Sequence, residues 1–302
     1  MLRKRHLKLA GVLAAASTLM LTGCSNVELR GYLPAPEANG QTVTNVTNHT
    51  SSIIGLWVTS WIVLLLVGIL SWGLMVWAMI AYRRRKGETG MPVQLRYNMP
   101  IETLFTVVPF IITVGFFAFT AQTMTDIEKP NDATRVIQVV GKQWSWDFNY
   151  LADKAESQLP AVYDSGIQYQ DGPNAKTEST LPTLYLEKGV PTEIDLTSRD
   201  VIHSFWVIDF LYKKDMFPGR VNRIYFTPEV EGTYKGKCAE LCGEFHSAML
   251  FNVKVVNHDE YAQHLADLAA AGYTGQLGYD LNREQTLPGN GSQAKTATAS
   301  DN

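Results

Sequence analysis

The sequence predicts a membrane-anchored all-β protein: a two-helix transmembrane hairpin, then one strand-rich domain. Three observations carry this expectation. Two uncharged apolar runs, at 53–82 and 103–125, are each long enough to cross a bilayer, which takes about 20 residues. Arg83, Arg84, Arg85 and Lys86 separate them, and the positive-inside rule puts that loop in the cytoplasm. From Arg135 onward the pattern becomes short β-branched and aromatic runs cut by Gly and Pro, which suggests a sandwich or barrel.

In chain order, residues 1–23 read as a signal peptide of the lipoprotein type. Arg3, Lys4, Arg5 and Lys8 form its basic head, and an apolar run over 9–21 leads into Leu21-Thr22-Gly23-Cys24. This resembles the bacterial lipoprotein box, in which the cysteine becomes the lipidated mature N-terminus, so Cys24 is expected to carry lipid. Cleavage there leaves 22 basic against 29 acidic residues, which excludes a nucleic-acid binder by charge.

Residues 24–50, polar and rich in Asn, Thr and Pro, are expected to be an external linker. The two-helix hairpin with its cytoplasmic loop occupies 51–125. An external domain follows over 126–272. Its strands are expected at 136–140, 141–150, 183–186, 192–196, 204–208, 223–226, 232–236 and 251–256. The polar stretch 151–182, with Asp171-Gly172-Pro173, reads as a long insertion. Asn257 is placed to cap a short helix that ends before Gly272. A flexible C-terminal tail is expected over 273–302.

The stretch 238–249 reads Cys-Ala-Glu-Leu-Cys-Gly-Glu-Phe-His-Ser-Ala-Met. Two thiols, an imidazole and a thioether within twelve residues are soft and borderline ligands, the set copper prefers. A second imidazole, His203, stands upstream. The plainer alternative is a short-loop disulfide between Cys238 and Cys242, in a chain exported to an oxidising space. One thiolate too many is present for a mononuclear blue-copper site. Two thiolates can instead bridge two metal ions, with His203 and His246 as terminal ligands and Met249 and a main-chain carbonyl as weak ones.

With those residues in view, the chain resembles subunit II of the haem-copper cytochrome c oxidases over about residues 50–270. The family's ligand loop, Cys-x-Glu-x-Cys-x-x-x-His-x-x-Met, is filled at every position. The resemblance implies a cupredoxin-like Greek-key β-barrel carrying a dinuclear copper A centre. Cys238 and Cys242 would bridge the coppers, and His203 and His246 would cap them. Met249 would ligate one copper and the main-chain oxygen of Glu240 the other. The Glu240 side chain would help hold a magnesium ion shared with subunit I. The implied role is to take electrons from a c-type cytochrome, soluble or membrane-tethered, alone or within a supercomplex. They pass to haem in subunit I, where oxygen is reduced to water and protons are pumped. Subunit I, further oxidase subunits and membrane lipids of a bacterial plasma membrane are the implied partners.

Trp144 matches the aromatic residue through which the family receives electrons, and Trp146 follows in the same aromatic run. Ser145 stands between them where the family often has Tyr. Asp200 and an external region of 16 basic and 25 acidic residues over 126–302 would steer a basic cytochrome. Glu102, at the cytoplasmic start of the second span, matches the family's carboxylate at the mouth of a proton path into subunit I. A bare helix-capping role is the alternative. A membrane-tethered copper chaperone is the competing function, and it would put its Cys-x-x-x-Cys on a thioredoxin-like α/β domain.

Overall fold

The computed structural model describes residues 37–38, 41–43, 45–85, 87, 89–91, 94–151, 160–166 and 180–278. The signal segment and Cys24 lie outside them. A two-residue pair, β1 (Glu37–Ala38) and β2 (Gln41–Thr42), opens the described chain.

Helices α1 (Thr50–Ala81) and α2 (Met99–Glu128) follow. At 1.5 Å per residue, the 32 residues of α1 reach about 48 Å, well beyond a hydrocarbon core of about 30 Å. Their large apolar side chains lie on the outside of the chain, as at Trp72, Ile80, Phe110 and Phe117. Such surface is stable only against lipid or other protein. Hydroxyls within the spans turn inward on their own helix. Ser60, Thr106 and Thr113 each donate to the carbonyl four residues back, at 2.7–2.9 Å. Thr113 thereby bonds the carbonyl of Pro109, the proline inside α2.

Two five-stranded sheets build the domain. The first runs β10 (Asn222–Phe226), β7 (Thr192–Ser198), β3 (Arg135–Lys142), β4 (Ser145–Tyr150), β5 (Val162–Ser165). The second runs β6 (Thr183–Glu187), β12 (Leu250–Val256), β11 (Gly232–Cys238), β8 (His203–Val207), β9 (Tyr212–Met216). Parallel pairings β3–β7 and β6–β12 sit within otherwise antiparallel ladders. The chain changes sheet repeatedly, and a bridge from Ser198 to Pro218 joins them near one edge. Between the sheets, Trp146 packs on Phe251 at 4.8 Å and Phe205 stacks on Phe251 at 5.0 Å. Ile137, Leu184, Ile194, Leu196 and Val253 complete the dry centre. The expected architecture, two apolar helices followed by a cupredoxin-like β-domain, is the one observed.

Helix α3 (His258–Ala270) is capped as expected, with the Asn257 side chain accepting from the Glu260 N–H at 3.0 Å. Its buried Tyr261 and Leu265 join the core.

Three expectations need correction. Residues 45–50 are no loose linker: Val46 is fully buried, and the hydroxyls of Thr47 and Thr50 bond at 2.8 Å. Asn48 and His49 meet the chain at Thr227 and Tyr225. Residues 273–278 are likewise fastened. Tyr273 packs on Tyr163, Gln276 donates to Gln138, and the Leu277 N–H donates to Asn149. The stretch read as an insertion contains β5, an edge strand too short and polar to show periodicity. Strand β9 was missed for the same reason: an edge strand with two lysines and an aspartate carries no apolar alternation.

At the other side of α2, Glu128 accepts from Tyr212 at 3.0 Å and Lys214 at 3.1 Å. Both helices are therefore held at the β9–β10 edge of the domain.

Candidate metal centre

Strands β8 and β11 are neighbours, with Cys238 opposite Phe205, so the ends of these strands meet beside each other. His203 opens β8 and Cys238 closes β11. The loop after Cys238 then folds back through a short 3-10 turn, His246–Ala248, into β12. Two main-chain bonds fix this return: Cys238 N–H to Met249 O and Ala239 N–H to Ser204 O, both 3.0 Å.

The consequence is convergence of donors. Cys238 Sγ lies 3.8 Å from Cys242 Sγ, 3.8 Å from His203 Nδ1 and 3.2 Å from the Glu240 carbonyl oxygen. Cys242 Sγ lies 3.5 Å from His246 Nδ1 and 3.8 Å from Met249 Sδ. All six predicted ligands thus surround one small volume. The sulfurs are free and too far apart for a disulfide, which needs about 2.05 Å. Donor atoms of His203, Cys238 and Cys242 lie within 4.8 Å of one another, close enough to share a metal ion. Soft thiolates, imidazoles and a thioether suit copper. His203 and Met249 are fully buried and the two cysteines nearly so, which makes the cradle rigid and dry.

The thiols share charge. The close contact with Cys242 lowers the Cys238 thiol against the opposing effect of burial, with His203 assisting. The same contact, together with burial, pushes Cys242 well up. Burial alone would lower His203, but its bonds to Asp200 and Cys238 prevail and raise it.

Asp200 takes a role that the sequence reading did not give it. Its Oδ1 lies 2.8 Å from His203 Nε2, leaving Nδ1 aimed at the sulfurs. The Val201 N–H also reaches Oδ1, and the Gln143 N–H reaches Oδ2, each at 2.7 Å. Burial would raise this carboxyl, yet these bonds, His203 first, hold it low. A carboxylate so engaged fixes the orientation of the His203 ring. Exposed acids nearby are Glu240 and Glu244.

Trp144 is half-buried directly on the ligand loop. Its Nε1–H donates to the Cys242 carbonyl at 3.2 Å, and its ring meets Phe245 edge-on at 5.0 Å. Gln143 Nε2 donates to the same carbonyl at 2.8 Å. Gly243 sits under the indole at φ +122°, where a Cβ would come within 3.0 Å of the ring. Trp146 is different: it is fully buried against Phe205 and Phe251, a core ring with no surface. Trp144 lies in the turn before β4, whereas Trp146 is held within the strand and faces the core.

Glu102 is partly exposed in the first turn of α2. Its Oε1 accepts the Asn98 N–H at 2.8 Å, while Asn98 Oδ1 accepts the Ile101 N–H at 3.4 Å. The carboxylate therefore does cap the helix.

Residues 135–256 match the family of the cytochrome c oxidase subunit II periplasmic domain. Over nearly its whole length the chain is also similar to a probable cytochrome c oxidase subunit 2 of Streptomyces avermitilis. They are 43% identical, covering 93% of this chain and 95% of the relative. The chain belongs to the cytochrome c oxidase subunit 2 family. The family's Mycobacterium tuberculosis subunit 2 is 31% identical over 86% of this chain and 81% of its own. Among solved structures, the periplasmic domain of cytochrome oxidase subunit II from Bradyrhizobium japonicum is 26% identical. It covers 47% of this chain and 97% of that one, with a TM-score of 0.39. Family members are oxidase subunits, and a thioredoxin-like chaperone domain is ruled out by the all-β architecture.

Two residues of the site escaped sequence reasoning. Gln143 is a polar side chain between Lys142 and Trp144, with no pattern to mark it. Gly141 was read only as part of a strand. A Cβ there would come within 2.9 Å of the His203 ring, so glycine leaves room for the ligand.

Proposed function

We propose that this chain is the electron-accepting subunit of a respiratory terminal oxidase. It would take electrons from a c-type cytochrome and deliver them to haem in subunit I, where oxygen is reduced and protons are pumped. The observation that carries this reading is the convergence of two unoxidised thiols, two imidazoles, a thioether and the Glu240 carbonyl.

Cys238 and Cys242 would bridge a dinuclear copper A centre, His203 and His246 would cap it, and Met249 and Glu240 O would be its weak ligands. Bound there, the centre supplies a one-electron carrier. The residues of the chain do the rest. Buried ligands on paired strands resist rearrangement when charge changes. Asp200 holds His203 in orientation. Trp144 receives the donor's electron at the surface and is joined to the ligand loop by one hydrogen bond. The exposed Glu240 side chain would contribute to a magnesium site against subunit I, and Glu102 would stand where protons are taken up. The domain would lie on the outer face of a bacterial plasma membrane, with Arg83–Arg85 inside and Cys24 lipidated.

The decisive variant is Cys242→Ser in the assembled oxidase. Loss of the purple two-copper absorbance and of reduction by cytochrome c, with the anchor still inserted, is the expected result. Normal turnover would refute the site.

A further inference from the structure

We infer that the outer face of the second sheet, on β8, β9, β11 and β12, docks a protein surface of clustered carboxylates. Across three paired strands, Lys237 lies opposite Trp206 and Trp206 opposite Lys213. The Lys237 ammonium stands 4.7 Å from the Trp206 ring centre. On the neighbouring β12, Lys254 lies opposite Thr233, and Lys235 projects from β11 on the same side. The strand register places these lysines on one sheet face, where Lys254 also donates to the Tyr185 hydroxyl at 3.2 Å and Lys235 to the Asn252 side-chain oxygen at 3.1 Å.

In the register no two of these lysines are directly opposed, and the face presents several cations arranged around one indole. The setting sharpens the contrast. Residues 126–302 hold 16 basic and 25 acidic residues, yet this face gathers cations. On the first sheet the opposite holds: Arg223 sits 3.0 Å from both Glu193 and Asp195. Among the described residues, Lys213, Lys237 and Lys254 make no ion pair. Acids at the margin are few. Asp215 lies two residues along β9, Asp209 precedes that strand, and Glu231 at the head of β11 pairs with Lys188.

Trp206 favours a protein over lipid headgroups. A half-buried indole framed by ammonium groups has the composition of an interface centre, an aromatic anchor within a charged rim. The face also differs from the Trp144 side of the metal centre, so a partner here need not compete with the electron donor.

Cross-linking the full chain in its native membranes tests this. A water-soluble carbodiimide joins amines to carboxylates that touch. The expected result is Lys213, Lys237 or Lys254 joined to Asp or Glu of one other polypeptide. The yield should fall roughly tenfold in molar salt, as screening of an exposed charge contact requires. Lys213→Glu should lower it likewise while the purple absorbance stays. Lysines that acetylate fully in intact membranes and cross-link only within the chain, as to Asp215, would overturn the inference. So would lysines that become reactive only after phospholipase treatment, which would assign the face to anionic lipid.

Discussion

The indole nitrogen of Trp144 and the main-chain oxygen of Cys242 are joined by a 3.2 Å hydrogen bond. One bond therefore links a partly exposed aromatic ring to a residue whose side chain faces the candidate metal position. The same carbonyl is held by Gln143, so the ligand loop is anchored by two adjacent residues of the β3–β4 turn.

Trp144→Phe keeps an aromatic ring but removes the donor. A lost hydrogen bond of this kind costs about 1 kcal/mol. Expressed in a barrier, that is roughly fivefold in rate. Reduction by cytochrome c should slow by about that factor while the copper spectrum persists, and Trp144→Ala should slow it further. Stopped-flow reduction checks this. Unchanged rates in both variants would remove Trp144 from the path.

Asp200→Asn should act on His203 without touching the metal position. The amide can still lie beside Nε2, but it no longer supplies a full negative charge to fix the ring. Carboxylates in this position typically account for roughly 10–100-fold in metal affinity. Copper titration against a competing chelator should show a drop in that range, together with a shifted absorption band. Affinity equal to the parent would reduce Asp200 to a surface charge.

The candidate donor set was legible in the sequence because Cys238, Cys242, His246 and Met249 share one loop. His203, from a distant strand, stood out only as a second imidazole, and nothing in its spacing showed that it would meet the loop. The contact of Asp200 with His203 was not legible, because an acidic residue near a site looks the same in sequence whether it faces water or a histidine. Its orientation is set by the tight turn into β8 and by the Gln143 N–H, neither visible as a pattern. Strands β5 and β9 were missed because edge strands bury only part of one face, so their residues need not alternate. Residues 45–50 looked like a linker by composition, yet Val46 supplies the single apolar side chain that packs them down.

Glu102→Gln separates two roles. Glutamine keeps an oxygen to accept the Asn98 N–H, so the turn at the start of α2 should persist. It cannot carry a proton away. If Glu102 serves proton uptake, oxygen turnover and proton pumping fall while copper content and membrane insertion stay level. Turnover at the parental rate would leave only the capping role seen at 2.8 Å.

His264 gives the domain a defined acid sensitivity. Its ring stacks on Tyr185 at 3.7 Å and meets Tyr150 edge-on, and its Nε2 is buried without a partner among the described residues. Burial pushes its pKa from 6.5 down to about 4. The unfolded chain takes up a proton as pH falls through 6.5, whereas the folded chain does so only near 4. Stability is therefore full above 6.5, declines across that window and has lost the whole contribution below it. Two and a half pH units correspond to at most about 3 kcal/mol, and nearer 2 once the water still reaching the ring is allowed for. His264→Phe keeps the stacking and cannot titrate, so its urea midpoint should change less between pH 7 and 4.5 than that of the parent. Parallel curves for the two proteins would show that the ring titrates alike in the folded and unfolded chains and that burial does not govern it.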